Sequence, residues 1–226
     1  TGSLNDEQLR KLHERLQYLR NLEEKKNQVL SSIEEQGKLT EELRKQIEKA
    51  QTLVVVEDLY RPYRPKRRTR ATIAREKGLE GLAALILLQR TENPLEEEAK
   101  AYLSAEKGVE TTEEALAGAR DILAEGISDE ADFRIYIRKL TMKKGTIVSS
   151  AKKPEESSVY EMYYEFEEKI SRIAGYRVLA LNRGEKEKIL TVKIQAPEEE
   201  ILRYLKSKVI SRENPFTGPV LEAVAE

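Results

Sequence analysis

Apolar side chains recur at three- and four-residue spacing over the first 36 residues, and this periodicity constrains the fold more than any other feature. They are Leu9, Leu12, Leu16, Leu19, Leu30 and Ile33. With Ser3 as a cap, the pattern predicts a helix over residues 4–36. Gly37 ends that helix, and Thr40 can cap a second one that continues to about Val56. Residues 1–60 are therefore predicted to form an N-terminal antiparallel helix pair.

The middle of the chain, residues 61–145, is predicted to be a basic loop followed by short helices. "RPYRP" at 61–65 stops the preceding helix, because proline lacks an amide hydrogen and disfavours the α conformation of the residue before it. Residues 113–125 and 129–142 have helical patterns separated by a tight turn, which is the spacing of a helix-turn-helix-like unit.

Residues 146–226 are predicted to contain a linker, an aromatic helix, a β-hairpin and C-terminal helices. Tyrosines at 160, 163 and 164 mark the aromatic helix, and two apolar runs around Asn182–Glu187 indicate a hairpin at about 176–194. A lone two-stranded hairpin is marginal in water, so its apolar positions are expected to dock on something else. The predicted fold class is mainly α: an elongated multi-helix architecture with one small antiparallel β-hairpin.

Composition excludes several classes of site. The absence of cysteine rules out disulfides, thiolate zinc sites and thiol nucleophiles, and His13 is the only histidine. The acidic runs 96–98 and 198–200 spread around their helices, as solvated faces do, and no glycine-rich phosphate loop follows a strand. No catalytic residue, metal or cofactor is expected, so the chain is predicted not to be an enzyme. The lack of an apolar span or signal peptide predicts a cytoplasmic protein without a membrane partner.

One basic segment stands out in a chain of net charge −1. Seven Lys or Arg and no acid lie between residues 61 and 75, which leaves 33 basic against 41 acidic residues elsewhere. They are Arg61, Arg64, Lys66, Arg67, Arg68, Arg70 and Arg75. Such a density of positive charge predicts contacts with a nucleic-acid backbone, without base reading. The alternative is a basic loop whose arginines brace acidic helices, with Arg61 and Arg75 as the first candidates.

Two other features suggest binding less strongly. The tyrosines near residue 160 could stack on bases, but the glutamates around them would repel phosphates, which favours packing. The second helix of the helix-turn-helix-like unit carries Arg134 and Arg138 on one face. Its N-terminal end holds Asp129, Glu130 and Asp132, where a reader of bases would carry basic side chains. Packing or backbone contact is therefore preferred for that helix over entry into a groove.

Three separated stretches resemble, in the same order, the N-terminal region of the Tex family of bacterial transcription accessory proteins. They are "EDLYRPYRPKRRTRATIAREKGLEGLA", "GARDILAEGISDEADFR" and "YYEFEEKISRIAGYRVLALNRG". Gly81 stands where the family leads us to expect proline. The resemblance implies a fragment of a larger protein, with more helix before residue 1, and an RNase H-like domain, helix-hairpin-helix elements and an OB-fold RNA-binding domain after residue 226. It thereby suggests the RNase H-like domain as the partner of the hairpin positions Leu179, Leu181, Leu190, Val192 and Ile194.

Two functions follow. The first is a transcription accessory module that binds RNA or DNA largely without sequence specificity. The second is a helical scaffold that positions the other domains or contacts RNA polymerase. The basic segment distinguishes them, because a pure scaffold is expected to balance its charge locally, as the rest of this chain does.

Overall fold

The computed structural model describes residues 5–65 and 67–226, which are mainly α-helical with one small sheet. The mainly α prediction is confirmed. Residues divide into two compact units, Thr1–Gly81 with Tyr102–Ile135 and Leu82–Ala101 with Tyr136–Glu226. Each unit is discontinuous in sequence, whereas the predicted division at 60 and 145 follows the chain. The elements are α1 Asp6–Glu35, α2 Glu41–Lys49, α3 Leu53–Tyr60, α4 Arg70–Glu76, α5 Glu80–Leu88, α6 Leu95–Lys100, α7 Thr112–Asp129, α8 Ala131–Lys144, β1 Thr146–Ala151, β2 Glu165–Lys169, α9 Gly175–Lys186, β3 Leu190–Gln195, α10 Glu198–Val209 and α11 Gly218–Ala225.

The C-terminal half of α1 packs against the helices that follow it, as predicted for the N-terminal helix pair. The cap of α1 is Asn5, which forms a reciprocal capping box with Gln8; the predicted cap Ser3 lies outside the described residues. The second helix is broken in two, because Ala50 is extended and Thr52 caps a new helix through the Val55 amide. The core between α1, α2 and α3 comprises Leu22, Val29, Ile33, Leu43, Ile47, Ala50 and Val56.

The first half of α1 takes no part in this core. Every side chain from Asp6 to Gln17 is exposed, and burial begins at Tyr18 and Leu22. The leucines that predicted the helix are therefore split between two environments: those beyond residue 21 are packed, and the earlier four lie on the surface.

Small residues bring α4 close to α7. Ala71 and Ala74 of α4 and Ala115 and Ala119 of α7 are all at least 97% buried. A Cβ atom on Gly118 would lie 2.4 Å from Leu79 Cδ1 and 3.2 Å from Ala74 Cβ. Because the distance between packed helices is set by the side chains at their contact, these residues allow a close approach. The cations at the two ends of α4 are thus held beside α7.

The second unit contains a three-stranded antiparallel sheet with strand order β2-β1-β3. Thr146 lies opposite Lys169 on one side and Gln195 on the other. The prediction was wrong in three places: the linker is the central strand, the aromatic helix is a 3₁₀ turn at Glu161–Tyr163 followed by β2, and the first half of the hairpin is helix α9. The predicted hairpin at 176–194 is therefore absent from the described residues. Its second half, β3, pairs with β1 instead, and β1 also pairs with β2.

The side chains proposed to form a docking surface are divided by this arrangement. Leu181 and Leu190 are at least 98% buried, in a core with Tyr160 and Tyr163, whereas Leu179 and Ile194 are exposed. The five positions therefore do not form one docking surface, because α9 and β3 bury part of the set within the chain. The prediction that the tyrosines pack rather than stack on bases is confirmed for Tyr160 and Tyr163.

A single glutamine fastens the turn after α10. Gln89 is 97% buried, and its Nε2 donates to the Val209 carbonyl at 2.8 Å. Its Oε1 accepts from the Ser211 and Arg212 amides at 3.0 and 3.1 Å. Three backbone groups thereby find partners on one side chain, as buried polar groups require. Within the described residues, no helix has both the length and the apolar character to span a membrane.

Candidate nucleic-acid interface

The basic segment begins in a turn at the end of α3, as "RPYRP" predicted. The Tyr60 carbonyl accepts from the amides of Tyr63 and Arg64 at 2.9 and 3.0 Å. Gln36 Nε2 donates to the Tyr63 carbonyl at 3.0 Å, which ties the turn to α1. The turn therefore has a fixed start, and Arg64 follows it as an exposed side chain.

Three of the predicted site residues pair with an acidic stripe on α7. Arg75 Nη1 lies 2.6 Å from Glu125 Oε2, Arg61 Nε lies 2.8 Å from Asp129 Oδ1, and Arg70 Nε lies 3.4 Å from Asp121 Oδ1. The acids are spaced at i, i+4 and i+8, so they follow one another on one helix face at a rise of about 6 Å. We call Asp121, Glu125 and Asp129 the acidic stripe. It neutralises three arginines of the segment within the fold.

The acidic stripe is better shielded than the arginines it holds. The side chains of Asp129 and Glu125 are 9% and 14% exposed, against 46% for Arg61 and 37% for Arg75. Thr69 Oγ1, the cap of α4, also donates to Glu125 Oε1 at 3.0 Å. Glu125 therefore joins the beginning and the end of α4 to α7.

The remaining cations of the segment are less constrained. Arg68 pairs with Glu76 at 2.7 Å, and Arg64 approaches Glu57 only at 3.9 Å. The exposed guanidinium of Arg67 forms no ion pair within the described ranges 5–65 and 67–226. Lys66 lies outside the described residues. Arg64 and Arg67 are thus the described arginines of the segment with the weakest internal neutralisation.

These two arginines line an open cleft of about 450 Å³. Its other walls include Arg61, Thr69 and Arg134, with the acids Glu57 and Asp58. Asp58 is 97% buried and pairs with Arg134 Nε at 2.8 Å, and Glu57 pairs with Lys25 at 2.6 Å. Both acids of the cleft therefore have cationic partners. The exposed side chains of Arg64 and Arg67 line the same cleft and are accessible to an anionic ligand.

The other candidates from the sequence find structural explanations or stay predictions. His13 is exposed. Arg134 is held by Asp58, in agreement with the preference for packing. The break between α7 and α8 is the single extended residue Glu130, later than the turn predicted at 126–128. A helix-turn-helix role for this pair remains a prediction.

The acidic stripe was missed by sequence reasoning, although the i, i+4, i+8 spacing of its members is visible in "DILAEGISD". Its pairing with the basic segment could not be read from the spacing alone. The two segments are separated by about 50 residues, and only the packing of α4 on α7 brings them together.

Comparison with known proteins places the chain in a family. Residues 89–214 match the family model described as "Tex central region-like". The uncharacterized protein YdcI of Bacillus subtilis is 47% identical over 229 residues, which cover all of this chain and 32% of YdcI. The transcriptional accessory protein Tex of Neisseria gonorrhoeae is 41% identical over 197 residues, covering 86% of this chain and 26% of that protein.

A human relative is also similar. The S1 RNA-binding domain-containing protein 1 of Homo sapiens is 32% identical over 203 residues, covering 85% of this chain and 20% of that protein. The chain spans a third or less of the length of the curated relatives described here. The match of the family model to more than half of the residues, together with these identities, shows that the chain belongs to the Tex family.

Proposed function

We propose that this chain is a nucleic-acid-associated module of a larger transcription accessory protein. In this role the segment Arg61–Arg75 contacts the phosphate backbone without reading bases. The observation that carries the proposal is the concentration of seven cations without an acid, of which Arg64 and Arg67 line an open cleft. The names of two relatives, a transcriptional accessory protein and an S1 RNA-binding domain-containing protein, support the association with transcription and RNA.

The ion pairs divide the seven residues into two roles. Arg61, Arg70 and Arg75 fix the segment on α7, because their charges are already balanced by the acidic stripe. Arg64 and Arg67, with Lys66, contact phosphate, because an arginine guanidinium donates two parallel hydrogen bonds to phosphate oxygens and a lysine ammonium donates to them as a point charge. Arg68 belongs to the second group when its exposed pair with Glu76 opens, since such surface pairs contribute little.

Counterion release gives this division a measurable consequence. An arginine that exchanges a carboxylate for a phosphate releases no net counterion, because the carboxylate then recruits a cation. Only cations whose internal neutralisation is weak steepen the salt dependence. Arg64 and Arg67, together with the phosphate contact predicted from the sequence for Lys66, give an expected slope of log affinity against log salt of roughly −2 to −3, from about 0.7 to 0.9 per phosphate.

The experiment is a salt titration of fluorescence anisotropy with a labelled 20-nucleotide single-stranded RNA and with duplex DNA. Arg64→Ala with Arg67→Ala is expected to flatten the slope by about 1.5 and to weaken binding to any sequence equally. The matched control replaces Arg10 and Arg44, which pair with Glu14 and Glu34, so it removes the same charge elsewhere in the same unit. Equal losses in both double variants would show that only net charge matters, and no loss in either would disprove the proposal.

A second candidate function, a helical scaffold that positions other domains or contacts RNA polymerase, is favoured by the acidic stripe. Three of the arginines brace α7, as a structural segment requires. In the scaffold alternative, the Arg64→Ala/Arg67→Ala variant keeps the parent's affinity and slope. Neither candidate assigns a catalytic residue, metal or cofactor to the chain, and both place it in the cytoplasm.

A further inference from the structure

The exposed half of α1 carries an apolar stripe that packs on nothing within the described residues. The side chains of Leu9, Leu12, Leu16 and Leu19 are 49%, 57%, 44% and 40% exposed. At 100° per residue they lie within about 80° of one another, on one face of the helix. We call these four residues the leucine stripe. The capping box at Asn5 stabilises the start of this helix, so the stripe is presented on a regular scaffold.

The rim of the leucine stripe is basic. Arg15 flanks it on one side and Arg20 on the other, in the positions that border the seam of a packed helix pair. Glu7 and Glu14 lie on the opposite face, where they pair with Lys11 and Arg10 at 2.6 and 3.8 Å. Arg20 forms no ion pair with any residue in the ranges 5–65 and 67–226. A partner that completes this face must therefore offer apolar side chains flanked by acids.

This chemistry selects among the possible occupants. A second copy in parallel register would place Arg15 of one helix against Arg20 of the other, and the four leucines supply only two heptads. A lipid surface suits a wide apolar face with a basic polar side, whereas this stripe is narrow and its polar side carries Glu7 and Glu14. An amphipathic helix with acidic flanks satisfies both the leucines and the arginines.

The length of the relatives indicates where that helix lies. YdcI of Bacillus subtilis matches all of this chain with only 32% of its own residues, so most of that protein is outside the matched region. We propose that the leucine stripe docks an acidic-flanked amphipathic helix from the part of the longer Tex-family protein outside these 226 residues. The inference is independent of nucleic-acid binding by Arg61–Arg75.

The absence of cysteine allows a direct test. Leu16→Cys reports on the stripe, and Asn21→Cys, exposed on the opposite face, is the matched control. Each variant is labelled with a maleimide in the isolated chain and in a chimera in which this chain replaces the matched segment of YdcI. Labelling at the introduced cysteine is read by peptide mass spectrometry. Labelling at position 16 is expected to be at least about tenfold slower in the chimera, with position 21 unchanged.

Further variants test the chemistry of the occupant. Leu12→Glu in the chimera is expected to restore fast labelling at position 16, and Arg15→Glu with Arg20→Glu to restore it in part. Equal rates in the chimera and the isolated chain would overturn the proposal. So would concentration-dependent protection of the isolated chain, which indicates a second copy, or protection by anionic phosphatidylserine vesicles. If the chimera does not fold, helical peptides tiled across the unmatched part of YdcI decide: protection by an acidic-flanked peptide supports the proposal, and protection by none overturns it.

Discussion

Arg75 Nη1 lies 2.6 Å from Oε2 of Glu125, and this ion pair joins the end of α4 to the C-terminal part of α7. The arginine is 37% exposed, so solvent screens the interaction. A double-mutant cycle with Arg75→Ala and Glu125→Ala is expected to give a coupling energy of about 0.5–1 kcal/mol in urea unfolding. Arg10 and Glu14, an exposed pair at 3.8 Å, provide the control cycle, with a coupling near zero. Equal couplings in the two cycles would contradict a bracing role for Arg75.

Neutralising the acidic stripe is expected to strengthen nucleic-acid binding. Asp121→Asn, Glu125→Gln and Asp129→Asn together release Arg70, Arg75 and Arg61 for phosphate. The affinity for single-stranded RNA at 100 mM salt should rise on the order of 10- to 100-fold, with a steeper salt slope. The control is Glu106→Gln, Glu110→Gln and Glu113→Gln, which changes the charge equally at acids without an ion pair among the described residues. A gain of the same size in the control would attribute the effect to net charge.

Replacing either of the two glycines inside α7 with alanine is expected to change stability, but in opposite directions. Gly118→Ala places a methyl group 2.4 Å from Leu79 Cδ1, and such overpacking costs about 1–3 kcal/mol. Gly126→Ala meets no atom within 4 Å, so it should stabilise the helix by up to about 1 kcal/mol through propensity. Thermal unfolding followed by circular dichroism measures both. If both variants were stabilised, the close approach of α4 and α7 at Gly118 would be wrong.

Gln89 is expected to be essential to the stability of the second unit. Gln89→Ala leaves the Val209 carbonyl and the Ser211 and Arg212 amides without their partner, with a loss of about 2–4 kcal/mol. Gln28, an exposed glutamine on α1, provides the comparison, and Gln28→Ala should change stability by less than about 0.5 kcal/mol. Urea unfolding followed by tyrosine fluorescence gives both values. A loss below 1 kcal/mol for Gln89→Ala would show that the turn holds without it.

Glu98 should titrate below the normal range for glutamate. Hydrogen bonds from Thr91 Oγ1 at 2.6 Å and Asn93 Nδ2 at 3.1 Å stabilise its carboxylate and lower its pKa below the ordinary value for glutamate. Because the folded pKa is depressed, the stabilisation is present above the unfolded pKa of about 4.3 and is lost as pH falls through the folded value. Carboxyl-detected NMR titration measures the shift directly, and Thr91→Val is expected to raise the Glu98 pKa. An unchanged pKa in that variant would contradict this assignment of its cause.

Local capping and periodicity were enough to predict most helices. Thr40 caps α2 through the Leu43 amide as expected, and α10 follows Pro197 to Val209. The break at Ala50 was missed because the apolar spacing continues across it, and Thr52 offers a second cap that only the packing against α1 makes favourable. For α2 and α10, the structure that capping and periodicity favour is the one that packing produces; the break at Ala50 is the exception.

The sheet could not be predicted by the same reasoning. Gly184 lies within Asn182–Glu187, where the hairpin was predicted to turn, but it belongs to α9. A Cβ atom on it would be 2.7 Å from Leu190 Cδ1, so the glycine allows close packing. Ser149 of β1 lies in the segment that was predicted to be a linker, yet its hydroxyl is buried and donates to the Tyr163 carbonyl at 2.6 Å. Both residues take their structural role from partners distant in sequence, and spacing along the chain carries no signal of those partners. The same limit applies to the site: the cation density of Arg61–Arg75 was visible, but its neutralisation by α7 was not.

The strand order has a consequence for how the protein is made on the ribosome. The central strand β1 is synthesised before both of its neighbours, and its partner β3 ends at Gln195, 49 residues after Thr146. At a translation rate of about 5–20 residues per second, one edge of β1 waits several seconds for that partner after it has been made. Helix α9 lies between β2 and β3 in the sequence and packs on β3, so it has been synthesised before β3. During this interval the nascent chain presents an unpaired strand edge, where contact with a neighbouring nascent chain would begin misassembly.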